Sequence, residues 1–312
     1  MSLPATMRAW RIHAYGGPEV MHLDAMPVPQ PGPGQLLVRV AVASVNPIDW
    51  KTREGHLKRA LPIDFPRVLG RDCAGTVIAG SGEFQAGDRV LSVGEAGKDG
   101  SQSEYALVPA ASSARIPASV PFEESIAFGI AGTSAWIPLV EVANVGPRMR
   151  VLVHAGAGGV GSVAVQLARH FGAEVVATCG TANLEFVRSL GARAIDYTKE
   201  DFVQAAGPCD VVFDTVGGEV RRHSLAALKP GGLLVYLNAA PIPSGGAPRQ
   251  DVRVVLAQIK TTTVRLERQL ELAARGVLKG QVGAVFPFEQ APKAYALVET
   301  GHGRGKVMIR VG

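Results

Sequence analysis

The sequence predicts an α/β protein in two parts: a small, mostly β domain and a doubly wound parallel sheet inserted into it. Three observations carry this expectation. Short strands and Gly-bearing turns fill the first third, strand and helix patterns alternate after Pro147, and the final residues return to short strands. In the first third, Gln35–Asn46 (QLLVRVAVASVN) follows the turn-rich PVPQPGPG and reads as a buried strand; Gly75–Ala79, Asp88–Val93 and Glu104–Val108 read as further strands. No helix of convincing length is expected before Pro121.

After Pro147 the unalternating run Val151–Ala155 (VLVHA) predicts a strand buried on both faces, followed by a helix over Val160–Phe171. The pattern continues as strand Glu174–Thr178, helix Leu184–Leu190, strand Ala194–Ile195 and a helix around Glu200–Ala205. Strand Asp210–Asp214, helix Glu219–Leu228, a KPGG turn and strand Leu233–Leu237 complete it. One more apolar strand, Val252–Ile259, and an amphipathic helix, Val264–Ala274, precede the terminal strand Lys306–Val311.

Composition excludes several classes. Of 312 residues, 47% are hydrophobic and 19% charged, too apolar a balance for a disordered chain. Gly (37) and Pro (21) are abundant but follow no G-X-Y period. The net charge of +5 is scattered, so no nucleic-acid partner is expected. Cys73, Cys179 and Cys209 form no CxxC, which argues against a disulfide framework and for a reducing, cytoplasmic setting. The N-terminus lacks an apolar signal segment, and the most apolar stretch, Ile126–Val140, falls short of the ~20 residues a membrane span needs, so no membrane partner is expected.

The sharpest motif is Gly156-Ala157-Gly158-Gly159-Val160-Gly161, which fits G-x-G-x-x-G between a predicted strand and helix. Glycines there allow a tight turn and close approach to a pyrophosphate, and the helix start offers free N–H groups. NAD-type sites place an acidic residue after the second strand. Here that strand ends in Thr178-Cys179-Gly180-Thr181, without Asp or Glu, so NADPH is the expected cofactor. Thr178, Thr181 and Asn183 are candidate hydrogen-bond donors to it. Arg188 and Lys199 could add charge, although a solvated surface is the favoured reading of both.

Eight segments, in order along the chain, carry a family resemblance: SVNPIDWK (Ser44–Lys51), PRVLGRDCAG (Pro66–Gly75), AGDRV (Ala86–Val90), AGTSAW (Ala131–Trp136), HAGAGGVG (His154–Gly161), LGARAIDY (Leu190–Tyr197), DVVFDTVGG (Asp210–Gly218) and KPGG (Lys229–Gly232). They resemble the zinc-independent quinone oxidoreductase (zeta-crystallin-like) branch of the medium-chain dehydrogenase/reductase superfamily. The resemblance implies a GroES-like substrate domain over 1–120 and 263–312, a Rossmann NADP-binding domain over 121–262, and a homodimer. Zinc-holding relatives use Cys, His and Cys where this chain has Asn46, Arg71 and Ala131, so no metal is expected. Without a Lewis acid, hydride delivery to a quinone or an α,β-unsaturated carbonyl is the chemistry that remains easy. An enoyl-thioester reductase and a non-catalytic NADPH-binding protein are the alternatives.

The same resemblance puts Asn46 and Lys51 near nicotinamide and substrate. Two readings stand for Asn46, direct contact or a turn-forming residue before Pro47. Lys51 replaces the Tyr common in quinone reductases and reads equally as a surface lysine. Asp49 is expected to cap a short helix beginning at Trp50, and Asp72 to pair with Arg67 or Arg71. Thr133 lines the cofactor cleft by resemblance or bonds its own backbone. Tyr197 is expected at the adenosine end. Val216, Gly217, Leu237 and Asn238 follow strands and face the cofactor by topology. His154, with no acid–base partner in view, reads as a satisfied core histidine.

Overall fold

A computed structural model of the protein describes residues 3–237 and 249–312. Asn238 and most of the segment Ala240–Gln250, expected to be a mobile border of the substrate cleft, lie outside them. The chain divides into two units, residues 1–130 with 261–312, and residues 131–260.

The first unit opens with β1 (Thr6–Ile12), β2 (Met21–Pro27) and β3 (Gln35–Val45), then α1 (Pro47–Arg53), β4 (Arg67–Val68), β5 (Asp72–Ala79), β6 (Arg89–Val93), β7 (Tyr105–Pro109), β8 (Ser113–Arg115) and α2 (Phe122–Ser125). The helix α3 (Ile130–Trp136) begins as that unit ends. The second unit alternates: β9 (Arg150–Val153), α4 (Gly159–His170), β10 (Glu174–Cys179), α5 (Leu184–Ser189), β11 (Arg193–Asp196), α6 (Phe202–Ala206), β12 (Cys209–Asp214), α7 (Gly218–Ser224), β13 (Leu228–Tyr236) and β14 (Arg253–Leu256). The chain returns through α8 (Thr263–Ala274), β15 (Val282–Pro287), α9 (Ala291–Glu299) and β16 (Lys306–Arg310).

The first unit holds a three-stranded sheet, β2-β1-β4, and a larger sheet ordered β15-β16-β3-β5-β6-β8, with β7 also on β3. Its main core joins Trp10, Ile12, Val45, Tyr295 and Ile309. The second unit is one parallel sheet, β11-β10-β9-β12-β13-β14. Val151, Leu152 and Val153 on its central strand are all fully buried, as a strand covered on both faces requires. The order reverses between β9 and β12, and in such sheets ligands bind beyond the carboxyl ends of the strands at that point.

Several elements depart from the sequence expectations. The domain break falls at 130/131 rather than 120/121; α2 packs on β3 and β5, so it stays with the first unit. The KPGG turn lies inside β13, and the strand expected over Val252–Ile259 is confined to Arg253–Leu256. The strands β1 and β2 and the helix α9 were not foreseen. In α9 the buried residues Ala291, Ala294 and Tyr295 recur at helical spacing, but the segment is short and carries strand-favouring Tyr and Val.

All three cysteines are buried and unpaired. Burial pushes the Cys73 thiol up to about 12 and the Cys209 thiol up to about 11, and raises that of Cys179. Among the described residues no single helix is long and apolar enough to cross a membrane.

Candidate active site

In the second unit, β9 runs into the glycine turn and α4 leaves it. Gly158 is the extended N-cap of α4 and offers no capping side chain, so the first N–H groups of the helix keep their donors available. Space decides the other glycines. A Cβ on Gly161 would stand 2.1 Å from the Ala155 carbonyl oxygen, and one on Gly156 would stand 2.7 Å from Ala177 Cβ. Neither position can carry a side chain while α4 sits this close to the sheet. Gly159 and Val160 form the first turn of α4 and are half-buried. The cradle therefore fits a pyrophosphate: it is backbone, open and at a helix start.

Beneath it lies a fully accounted polar chain. Ser224 Oγ donates to the Val220 carbonyl (2.6 Å), so His154 Nε2–H donates to Ser224 Oγ (2.8 Å). His154 Nδ1 then accepts from Thr178 Oγ1 (3.1 Å), which itself accepts from the Ala155 N–H (3.2 Å). Burial pulls His154 down to about 4, so the ring is neutral. His154 is thus the satisfied core residue expected. Thr178 corrects its expectation: its hydroxyl is buried and committed, so it supports the glycine turn from below instead of donating to a ligand.

Asp214, at the end of β12, accepts from the N–H groups of Val216 and Gly217 (both 2.8 Å) and pairs with buried Arg221 (2.6 Å). Arg221 also donates to the Leu237 carbonyl (3.2 Å) and lies over the Tyr236 ring, 3.9 Å from its centroid. This pair ties the loops after β12 and β13 together, which places Val216, Gly217 and Leu237 at one end of the sheet. Val216 is 44% exposed there.

At the ends of β10 and β11, Thr181 Oγ1 donates to Asp196 Oδ2 (2.5 Å). Hydrogen bonds from Thr181 and Thr198 hold the Asp196 carboxyl below its usual range. No acidic residue follows β10 in sequence, yet the Cys179–Asp196 register brings one beside its end from β11. Sequence reasoning missed this carboxylate because it belongs to the neighbouring strand. Asn183 is half-buried and Tyr197 is 49% exposed. Arg188 pairs with Glu185 on its own helix, and Lys199 stands 3.8 Å from Asp196. Thr133 is fully buried within α3.

The first unit holds a different kind of centre. Asn46 is the N-cap of α1, whose first residue is Pro47, and Asp49 closes a capping box by accepting from the Asn46 N–H (2.7 Å). The helix therefore starts before Trp50, and Asp49 lies inside it. Asn46 Nδ2 donates to Ser44 Oγ (3.0 Å) and Asp72 Oδ1 (2.8 Å), while Lys306 Nζ donates to Asn46 Oδ1. Ser44 Oγ also donates to Asp72, whose other oxygen accepts from the Ile130 N–H (3.0 Å). Asp72 thus pairs with neither arginine expected: Arg67 lies near Asp64 and Asp99, and Arg71 Nε donates to the Gly94 carbonyl.

Ser44, Asn46, Asp49, Asp72 and Lys306 are all buried. Burial, aided by the Asp72 charge, pushes Asp49 up to about 7 against the Asn46 hydrogen bond; burial also lowers Lys306. Lys51 is half-buried on α1, its ammonium over the Trp50 ring at 5.4 Å. Nothing in the local sequence singles out Lys306; its mark is a lysine opening an apolar strand.

At the positions where the resemblance puts zinc ligands, the side chains present supply no ligand set for zinc. Asn46 has spent its amide, Arg71 is a cation, Ala131 has no donor, and among the described residues no group of three or more His, Cys, Asp or Glu is placed to hold an ion.

Comparison with known proteins agrees with this architecture. Residues 32–118 match the alcohol dehydrogenase GroES-like domain family, and residues 190–309 match the family described as zinc-binding dehydrogenase. The chain is 36% identical to a 2-methylene-furan-3-one reductase of Solanum lycopersicum over 99% of its length and 80% of the relative's. It is equally identical, with the same shares covered, to an NADPH-dependent alkenal/one oxidoreductase (chloroplastic) of Arabidopsis thaliana. The structure of the quinone oxidoreductase from Coxiella burnetii superposes with a TM-score of 0.87 at 30% identity, covering 98% of this chain and all of that one. With a GroES-like β unit, a Rossmann unit and these relatives, the chain belongs to the medium-chain dehydrogenase/reductase superfamily, among its quinone and alkenal/one oxidoreductases.

Proposed function

We propose that the protein is an NADPH-dependent reductase that passes hydride to a quinone or an α,β-unsaturated carbonyl without a metal. The observation that carries this reading is the backbone cradle at Gly156–Gly161, where any Cβ on Gly161 would collide with Ala155. The relatives' named activities supply the acceptor class.

NADPH, when bound, supplies the hydride. The cradle's N–H groups would hold its pyrophosphate, with Val216, Gly217 and Leu237 along the nicotinamide path and Thr181, Asn183 and Tyr197 at the adenosine end. Asn238 and Thr133 complete the proposed cofactor set. The acceptor gains negative charge on its oxygen, and a positioned donor lowers that cost. Lys51 is proposed as this donor and as the source of the final proton. Asn46, with both amide ends engaged, is proposed to act by fixing α1.

Purified protein is to be mixed with NADPH and, in turn, a quinone, a short enone and an enoyl thioester, following loss of NADPH absorbance. Turnover of the quinone or enone is the expected result. Turnover of the thioester alone would make it an enoyl-thioester reductase, and tight NADPH binding without turnover would make it a binding protein. Stoichiometric zinc in the active protein would overturn the metal-free reading.

A homodimer through the edge strand β14 is part of the proposal, supported by the 43% exposure of Val254 there. Sedimentation at twice the chain mass is the expected result. A cytoplasmic setting is supported by the three unpaired thiols.

A further inference from the structure

Three strands bring distant residues side by side. In the β16–β3 register Val307 faces Val45, so Lys306 comes opposite Asn46; in the β3–β5 register Ala43 faces Cys73, so Asp72 comes opposite Ser44. The resulting group is dry, and each member's chemistry fixes its neighbour. An ammonium only donates, so the Asn46 atom beside Lys306 must be its oxygen. The NH₂ end then faces Asp72 and Ser44. Rotating the amide would set its NH₂ against an ammonium and its carbonyl against a carboxylate, so one orientation is enforced. The charged groups facing Lys306 are Asp72 from β5 and Asp49 from α1, with Arg71 near Asp49.

We propose that Lys306 is a positioning residue for hydride transfer: through Asn46 Oδ1 its ammonium holds the start of α1, the helix that carries Lys51. The inference rests on the reductase reading above and adds a residue to it. Asn46 is the hub. Its backbone N–H is held by Asp49, its amide oxygen by Lys306 and its NH₂ by Asp72 and Ser44. Asp72 reaches onward to the N–H of Ile130, at the end of the first unit's N-terminal segment. Removing the ammonium takes away the cation that faces Asp72 and Asp49 and frees the amide to turn. A displacement of about 1 Å at a catalytic donor costs on the order of 100-fold in rate.

The test uses the full chain with NADPH and an acceptor that the wild type reduces. Lys306→Met is expected to lower kcat on the order of 100-fold, with NADPH affinity, read by fluorescence titration, unchanged within about twofold. Lys306→Gln keeps a neutral donor for Asn46 Oδ1 and is expected to recover most of that loss. A merely structural lysine would instead lower thermal stability, NADPH affinity and kcat together, with Gln no better than Met. Wild-type kcat in Lys306→Met, or that parallel loss, overturns the inference. Should Lys306→Met fail to fold, Lys306→Gln and Asn46→Asp decide. Asn46→Asp keeps an acceptor for Lys306 but loses the donors to Asp72 and Ser44, so it should lower kcat with NADPH affinity intact. Full kcat in both of these variants would sink the inference. An inactive wild type would sink the reductase reading instead, so the two failures are distinguishable.

Discussion

The two polar centres of this molecule are built from opposite materials. In the second unit, the cradle at Gly156–Gly161 is peptide backbone, and its recognition surface is a row of N–H groups at the start of α4. In the first unit, the centre around Asn46 is built mainly from side chains, with a lysine and two aspartates packed out of water. A backbone cradle depends on absent atoms, because one added methyl closes it. A buried charge cluster depends on balance, because one neutralised member leaves the others unpaired. The first should tolerate charge changes and fail on volume; the second should tolerate small volume changes and fail on charge.

The largest expected effect would show that the second unit also rests on a buried charge pair, at the loops after β12 and β13. Asp214→Ala removes the acceptor for the Val216 and Gly217 N–H groups and breaks the buried ion pair with Arg221, at a cost of about 3–5 kcal/mol. Urea unfolding measures it, and a loss below about 1 kcal/mol would remove Asp214 from that role.

Gly161→Val tests volume directly. The first side-chain carbon would meet the Ala155 oxygen at 2.1 Å, so α4 must shift and NADPH affinity should fall on the order of 100-fold. Near-normal titration by this variant would mean the cradle does not hold the pyrophosphate.

Asp49→Asn tests charge in the first unit while keeping a carbonyl acceptor for the Asn46 N–H. Asp49 titrates near 7 in the folded chain and near 3.8 when unfolded, so between those values the folded state holds the extra proton. Wild-type stability therefore falls as pH rises across that window and stays low above it. The variant lacks the penalty, so its midpoint relative to wild type should rise between pH 4 and pH 8. A difference independent of pH would show that Asp49 is not the group titrating.

Thr181→Ala is the gentlest probe. It frees Asp196 from a hydrogen bond beside the end of β10, and NADPH affinity should weaken by about threefold, near the net worth of one hydrogen bond. An unchanged NADPH titration would leave Thr181 a partner of Asp196 alone.

The same contrast explains what the sequence revealed. The cradle is six consecutive residues between a buried strand and a helix, so its meaning is local and readable. The cluster joins Ser44, Asn46, Asp49, Asp72 and Lys306, and its longest bond spans 260 positions. Only strand pairing brings those residues together, and no spacing rule encodes it. Asp196 was hidden for the same reason, since it serves the end of β10 from β11. Thr178 was misread because strand position alone does not say whether a hydroxyl at a strand's end points up to a ligand or down to a histidine. The helix α9 escaped because it is short, and its period is clear only once Ala291, Ala294 and Tyr295 are seen to be buried together.

The sequestered cysteines have a chemical consequence for a reductase of this kind. Quinones and enones are soft electrophiles that add to thiolates, and Cys73, Cys179 and Cys209 are both out of reach and held in the unreactive thiol form. Self-inactivation through these thiols must then wait for the fold to open, so its rate should follow local unfolding as well as the concentration of the acceptor.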